Sequence, residues 1–347
     1  MSLQIGIVGL PNVGKSTLFN ALLRKQASFA EATAGQASLT KGAQTGNFPF
    51  TTIEPNIGVV PVPDDRLQKL AGVIGNNPTL VPAVVEFVDI AGIIEGAHKG
   101  EGLGNKFLHH IREVDAICYV LRAFNDENII REGSKSPKDD LEILKTELDL
   151  ADLETEDRAA AKAKAGKEKV NELPLFRNKP MLIVLNVSES DLKDSEKIEK
   201  DFAKVVGVEQ NQVIAICAKL EEDLASLQSD EAAVYLNEVG VSSTGLERLI
   251  KKAFETLGLI TFLTAGEKEV RAWTIHDGAL APQAAGTIHT DFEKKFIKAD
   301  VCDFDDFIGS PPAGGGWKNA REKGKVRIEG RDYVMRDGDV VEFRIGS

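Results

Sequence analysis

Gly9-Leu10-Pro11-Asn12-Val13-Gly14-Lys15-Ser16 reads G-x-x-x-x-G-K-S. It follows an apolar run at 3–9 and precedes a helical pattern from Thr17 to Lys25, with Leu18, Leu22 and Leu23 on one face. This context constrains the fold more than any other feature. The glycines let a loop wrap so that its N–H groups converge on phosphate oxygens, and the following helix adds its positive end. Asn12, Val13, Gly14, Lys15, Ser16 and Thr17 form the expected phosphate loop. Lys15 supplies a point charge for the β- and γ-phosphates, and the Ser16 hydroxyl is a Mg²⁺ ligand.

A second motif lies downstream. Val84 to Ile90 is an apolar strand pattern that leads into Asp89-Ile90-Ala91-Gly92. Asp89, at the strand's C-terminal end, is expected to hold Mg²⁺ through water, and the Gly92 N–H to sense the γ-phosphate. Between the motifs, Phe48 to Asn56 contains Thr52, a hydroxyl placed to close on Mg²⁺. Residues 26–47 are rich in Ala, Gly, Ser, Thr and Gln, and read as a long loop.

Further strand patterns fall at Ile57–Val62, Ala83–Asp89, Ala116–Leu121, Met181–Asn186 and Val213–Cys217. Helical patterns separate most of them, which indicates a doubly wound α/β domain with a mainly parallel sheet. Pro137–Leu173 breaks the rhythm. Leu141, Leu144, Leu148 and Ala151 recur at heptad-like spacing, and the rest is polar and Ala-rich. This reads as a projecting helical insert that stops near Pro174, or as an ordinary surface helix pair. Beyond Thr264, Trp273, Ile275, Gly278, Pro282, Gly286 and the run Lys325–Ile328 read as short strands and turns. Asp337-Gly338-Asp339 is a further turn signal.

Charge and cysteine content exclude some classes. The 347 residues carry 42 Lys+Arg against 54 Asp+Glu, a net charge of −12. A uniformly basic coat for nucleic acid is excluded, no DNA partner is expected, and any RNA contact needs a local patch. No apolar run reaches the ~18 residues of a membrane span. The first eight residues have no basic stretch and run into the motif, so no signal peptide is expected. Cys118, Cys217 and Cys302 are scattered among apolar neighbours, which fits buried thiols in a reduced cytoplasm.

These motifs, with Gly96-Ala97-His98-Lys99-Gly100-Glu101-Gly102-Leu103-Gly104-Asn105 and Phe262–Thr274, resemble the YchF family of Obg-like ATPases over nearly the whole chain. The resemblance implies a Ras-like P-loop NTPase domain at 1–136 and 178–263. It also implies a coiled-coil-like helical insert at 137–177 and a C-terminal β-grasp TGS domain at 264–347. It makes Ser16 and Thr52 Mg²⁺ ligands, and the ribosome or its large subunit a partner. Two departures stand out: loop 27–46 is longer than usual, and the helical insert is shorter.

GTP-specific relatives carry Asn-Lys-x-Asp after the fifth strand; here Asn186-Val187-Ser188-Glu189 follows Met181–Leu185. Val187 removes the lysine that packs over the base, and Glu189 displaces a bidentate acceptor. Adenine is therefore acceptable, with Asn186 as the polar base contact and ATP bound at least as well as GTP. Ile93 stands where many Ras-like enzymes place a water-orienting glutamine. His98, in a glycine-rich loop, is the expected catalytic group beside Lys15. The Asn12 carbonyl is a candidate ligand for K⁺ between phosphates.

The expected function is a ribosome-associated ATPase acting as a nucleotide-dependent switch. The alternatives are an Obg-like GTPase in ribosome assembly, a metabolic kinase, or a nucleotide-sensing scaffold. Trp317, Lys318, Arg321, Lys323 and Lys325 form the expected RNA contact, cations for phosphates beside a ring for stacking.

Overall fold

The computed structural model describes residues 3–34, 56–90, 103–125, 135–164, 173–225, 227, 231, 232, 234–236, 241, 243–309 and 316–346. In chain order its elements begin with β1 (Gln4–Val8), α1 (Lys15–Ala34), β2 (Asn56–Pro61), α2 (Arg66–Ile74), β3 (Thr79–Val81) and β4 (Val84–Asp89). Next come α3 (Leu103–Glu113), β5 (Ala116–Arg122), α4 (Pro137–Lys164), β6 (Met181–Asn186), α5 (Ser195–Val206), β7 (Val213–Ile216), α6 (Ala218–Leu224) and α7 (Gly245–Thr256). The last are β8 (Leu259–Ala265), β9 (Glu269–His276), α8 (Ala281–Ile288), α9 (Thr290–Lys295), β10 (Phe296–Cys302), α10 (Phe304–Ile308), α11 (Trp317–Glu322), β11 (Arg327–Glu329) and β12 (Val340–Ile345). Contacts divide the chain into two compact units, Met1–Val60 with Val85–Leu257, and Pro61–Val84 with Gly258–Ser347.

The first unit is built on a sheet of order β2-β4-β1-β5-β6-β7. β1 pairs in parallel with β4 and β5, and β5 to β6 and β6 to β7 are parallel too. β5 is buried along its whole length and β6 at every residue but Met181. A parallel sheet covered on both faces needs such apolar runs, which is why these strands were legible. α7 buries Leu246, Leu249, Ile250, Ala253 and Phe254, one helical stripe, and Thr244 caps it by accepting from the Glu247 amide at 3.1 Å.

Two expectations for this unit change. α1 does not end at Lys25 but runs to Ala34. Ala27, Ala30, Glu31, Ala32 and Ala34 favour helix, and no Gly or Pro intervenes before Gly35. Residues 35–55, the rest of the expected loop, lie outside the described residues. α4 is also less of a projection than its polar composition implied. Leu141, Leu144, Leu148 and Ala151 are core residues, and the buried Asp140 carboxylate accepts the Arg122 amide of β5. Asp152, fully buried, accepts the amides of Phe176 and Arg177 at 2.9 and 3.0 Å.

The second unit has a mixed sheet, β11-β10-β12-β8-β9-β3. β10 pairs antiparallel with β11 and β12, and β8 antiparallel with β9. β12 with β8 and β3 with β9 run parallel. Its core gathers Phe262, Ile275, Phe296, Val301, Met335 and Val341 with Ala281, Ala284 and Ala285 of α8. Pro282 and Gly286, expected in turns, lie in this helix; proline in the first turn needs no N–H partner. The turn at Asp337-Gly338 is present, with Gly338 at φ 83°.

The contact division also differs from the three-part division expected from sequence. Residues 61–84 belong with the C-terminal residues, because Thr79, Leu80 and Val81 add an edge strand beside Glu269, Val270 and Arg271. The unit boundary falls after Leu257, where β8 begins, rather than at 263.

Candidate nucleotide site

The C-terminal ends of β1, β6 and β7 open onto one cavity of about 710 Å³, where α/β sheets bind ligands. Asn12, Gly14, Lys15, Ser16 and Thr17 line one side, and Asn186, Val187, Ser188, Glu189, Cys217, Ala218 and Lys219 the other. The two motifs that sequence reading took for phosphate and base recognition thus face one space.

The loop is shaped by backbone constraints. Asn12 has φ 60° and Gly14 φ 95°, both left-handed. A Cβ on Gly14 would lie 2.2 Å from Asn186 Nδ2, and one on Gly9 would lie 2.5 Å from the Val120 carbonyl. Only glycine allows these approaches. Val13 is buried, and its carbonyl accepts from Asn186 Nδ2 at 2.9 Å.

Lys15 opens α1, and its Nζ donates to the Gly9 and Leu10 carbonyls at 2.9 and 3.1 Å. An ammonium has three donors, so one remains for a phosphate oxygen. Burial pushes the Lys15 ammonium down from its ordinary range, and the Asp89 carboxylate partly offsets this. Burial likewise pushes the Asp89 carboxyl up, against the pull of Lys15. Asp89 ends β4 in register with Ile7, so it stands level with the start of the phosphate loop.

Ser16 and Asp89 are hard oxygen donors, the kind Mg²⁺ takes. Among the described residues no three His, Cys, Asp or Glu side chains gather as a protein cage. Such a donor set fits an ion held partly by a nucleotide's own phosphates. Thr52, Gly92 and His98 lie outside the described residues.

At the base end, Asn186 is buried and occupied at both ends. Nδ2 meets the Val13 carbonyl, and Oδ1 accepts the Ala218 amide at 3.0 Å. Its first role is therefore to brace the phosphate loop against α6; one Nδ2 hydrogen is left for a base. Val187 is buried, its amide held by the Ile216 carbonyl at 2.9 Å, and forms apolar wall. Glu189 is exposed, and its Oε1 accepts from the Tyr235 hydroxyl at 2.8 Å.

Sequence reading missed Cys217, Ala218, Lys219 and Tyr235. The first three had a signal, their place directly after β7, where a parallel strand delivers the chain to the site. Tyr235 had none, since its partner lies 46 residues away.

All three cysteines are free and buried. Burial pushes the Cys118 thiol up to about 12 and Cys302 to about 11. It raises Cys217 too, against the opposing Leu220 and Lys219 amides. Cys217 is the one that lines the cavity. Iodoacetamide at mildly alkaline pH should therefore label the native protein slowly, at Cys217 first, and bound nucleotide should slow that labelling about fivefold or more. Peptide mass spectrometry reads this; labelling of Cys217 indifferent to nucleotide would place the ligand elsewhere.

The expected RNA contact changes in the folded chain. Trp317 is half-buried, with Phe307 edge-on at 5.2 Å and the Arg321 guanidinium 5.4 Å from its ring centre. Arg321 pairs with Asp300 and Glu342 at 3.2 and 3.0 Å, and Lys325 with Asp306 at 3.2 Å. Two of the four cations expected to meet RNA are thus paired with acids from β10, α10 and β12. Lys318 and Lys323 remain exposed, without an ion-pair partner among the described residues.

Residues 4–187 match the family model described as 50S ribosome-binding GTPase, and residues 259–346 match YchF-GTPase_C, described as a protein of unknown function. The chain is 45% identical to the ribosome-binding ATPase YchF of Bacillus subtilis strain 168, over 99% of both chains. It belongs to the YchF family. The YchF of Escherichia coli O157:H7, also named a ribosome-binding ATPase, is 42% identical over 99% of both chains. The structure of the Schizosaccharomyces pombe YchF GTPase superposes with a TM-score of 0.75 at 32% identity, covering 99% of this chain and 98% of that one. Family members thus carry both ATPase and GTPase in their names. Among the described residues no helix is long and apolar enough to cross a membrane.

Proposed function

We propose that this chain is a ribosome-binding P-loop ATPase, converting ATP to ADP and phosphate with relaxed discrimination between ATP and GTP. Its nucleotide state would act as a switch in translation or stress response. The observation that carries this reading is the single cavity lined both by the phosphate loop and by Asn186–Glu189. The names of relatives matched along almost the whole chain support the ribosome as partner.

In this reading the loop amides of residues 12–17 and the α1 N-terminus bind and orient the phosphates. Lys15 places its remaining donor on them. Ser16, Thr52 and Asp89 hold Mg²⁺, Asp89 through water, and the ion when bound neutralises charge that develops on the phosphoryl oxygens. The Asn12 carbonyl is a candidate for K⁺. Gly92 senses the γ-phosphate and His98 orients the attacking water. His98→Ala should slow single-turnover hydrolysis about tenfold or more, which is ~1.4 kcal/mol, with little change in ATP affinity. An unchanged single-turnover rate removes His98 from the mechanism.

The C-terminal residues 264–347 act as a TGS domain in this reading, with the helical insert at 137–177 as an arm. RNA contact through Trp317, Lys318, Arg321, Lys323 and Lys325 narrows to Lys318 and Lys323, the cations of this set without an ion-pair partner among the described residues. Co-sedimentation with purified ribosomes across a salt series, together with ATP turnover with and without ribosomes, tests the whole reading. Binding should weaken steeply as salt rises. Lys318→Ala with Lys323→Ala should weaken it further without touching the ion pairs of Arg321 and Lys325. Failure of wild-type protein to pellet at low salt overturns the ribosome reading, and turnover of neither ATP nor GTP overturns the enzyme.

A further inference from the structure

The hydrogen bond from Tyr235 to Glu189 lies at the one place where adenine and guanine differ most in what they ask of a protein. Guanine presents two parallel donors, N1–H and N2–H₂, and a carboxylate reads them by offering both oxygens side by side. Adenine presents no such pair: N1 is an acceptor, C2 carries only C–H, and its one donor group, N6–H₂, stands where guanine has O6. Glu189 lines the cavity, and its backbone is set by a turn. The Asp191 amide donates to the Ser188 carbonyl at 3.1 Å, and the Ser188 amide to Asp191 Oδ2 at 3.3 Å. With the backbone set, the direction of the Glu189 carboxylate is the remaining variable. The Tyr235 hydroxyl fixes it by donating to Oε1 at 2.8 Å.

We propose that Tyr235 is a specificity-determining residue: by holding Oε1 of Glu189 it keeps the carboxylate from presenting both oxygens side by side to the base, which denies guanine its paired acceptor and takes nothing from adenine. The inference rests on the reading of Asn186–Glu189 as the base site. A second feature of the same wall points the same way. The Ala218 amide, a donor that would suit the guanine O6 acceptor, is already engaged by Asn186 Oδ1 at 3.0 Å. A guanine reaching this wall must turn Glu189 away from Tyr235 before both oxygens can face it. An adenine makes no such demand. Tyr235 is half-buried and acts through Glu189, so it is a positioning residue and not a contact to the base.

The test is the ratio of ATP to GTP dissociation constants, measured with Mg²⁺ by calorimetry or competition. Wild type, Tyr235→Phe, Glu189→Ala and the double variant are compared. Phenylalanine keeps the ring and deletes the hydroxyl, so packing is preserved. Tyr235→Phe should shift the ratio toward GTP about threefold or more, because the freed carboxylate can then present both oxygens. In the Glu189→Ala background the same change should leave the ratio where it was. A merely structural role for Tyr235 would weaken both nucleotides alike and leave the ratio unchanged, and that result overturns the proposal. The arms separate the two levels of inference. If Glu189→Ala moves the ratio and Tyr235→Phe does not, the base site stands and Tyr235 has no part in it. If Glu189→Ala also leaves the ratio fixed, the base-site reading fails and takes the proposal with it. Thermal melts of all four proteins establish that each is folded when measured.

Discussion

Replacing Asn186 by alanine should cost about 2–4 kcal/mol of stability and also lower nucleotide affinity ~100-fold or more. Both effects come from one side chain. Its amide joins the Val13 carbonyl to the Ala218 amide, and all three residues are buried. Alanine leaves a buried acceptor and a buried donor without partners, each worth about 1–3 kcal/mol when stranded. It also frees the loop whose left-handed Asn12 and Gly14 must stay in place for the amides to converge. Asn186→Asp should not rescue, because it keeps the acceptor for Ala218 but sets a carboxylate oxygen against the Val13 carbonyl.

Lys15→Ala gives the contrast. It should abolish tight binding with a smaller loss of stability than Asn186→Ala, since burial already penalises that ammonium and offsets its bonds to the Gly9 and Leu10 carbonyls. Urea unfolding and nucleotide titration of the two variants separate bracing from charge. An Asn186→Ala protein of wild-type stability would show that the brace contributes nothing.

That double role marks where sequence reading reached its limit. Strand positions were legible because each parallel strand is a short apolar run; β5 and β6 were placed almost to the residue. The phosphate loop was legible because its glycines stand where a Cβ would collide with Asn186 and with the Val120 carbonyl. What stayed hidden depends on partners distant in sequence. Residues 61–84 show the helical and strand signals of any α/β segment, and nothing local says that β3 pairs with β9. Trp317 looked available for stacking because a count along the chain cannot show Phe307 on one side and Arg321 on the other. Asn186 was read for its chemistry toward a base, while the protein bonds that occupy it come from residues 173 and 32 positions away.

The hidden pairing of residues 61–84 leads to the largest effect expected in the second unit. Arg66 opens α2 and holds three partners. Its Nε and Nη2 meet Asp64 at 2.8 Å, Nη2 also meets Thr261 Oγ1 at 2.8 Å, and Nη1 meets Asp337 at 2.8 Å. Asp337 in turn accepts the Thr261 amide at 2.9 Å, and the Gly338 amide donates to the Thr261 carbonyl at 2.8 Å. One guanidinium thus ties α2 to β8 and to the turn before β12.

Arg66→Ala should destabilise this unit by about 1–3 kcal/mol, because it takes one of two partners from the buried Thr261 hydroxyl, which keeps its bond to Asp337, and leaves two carboxylates without their cation. Arg66→Lys should recover little, since a single ammonium cannot reach three partners that a planar fork serves together.

The pH dependence carries the sharper signature. Burial pushes Asp337 up, but the Thr261 amide and Arg66 outweigh it and hold its carboxyl below the ordinary 3.8. A depressed carboxyl stabilises the fold above its unfolded pKa, and this contribution fades as pH falls through the folded value. The gap between wild type and Arg66→Ala should therefore be full at neutral pH and shrink below 3.8, where protonated Asp337 no longer needs the arginine. A gap that stays constant into that acid range would mean that Arg66 acts through packing and not through the charge of its carboxylate partners.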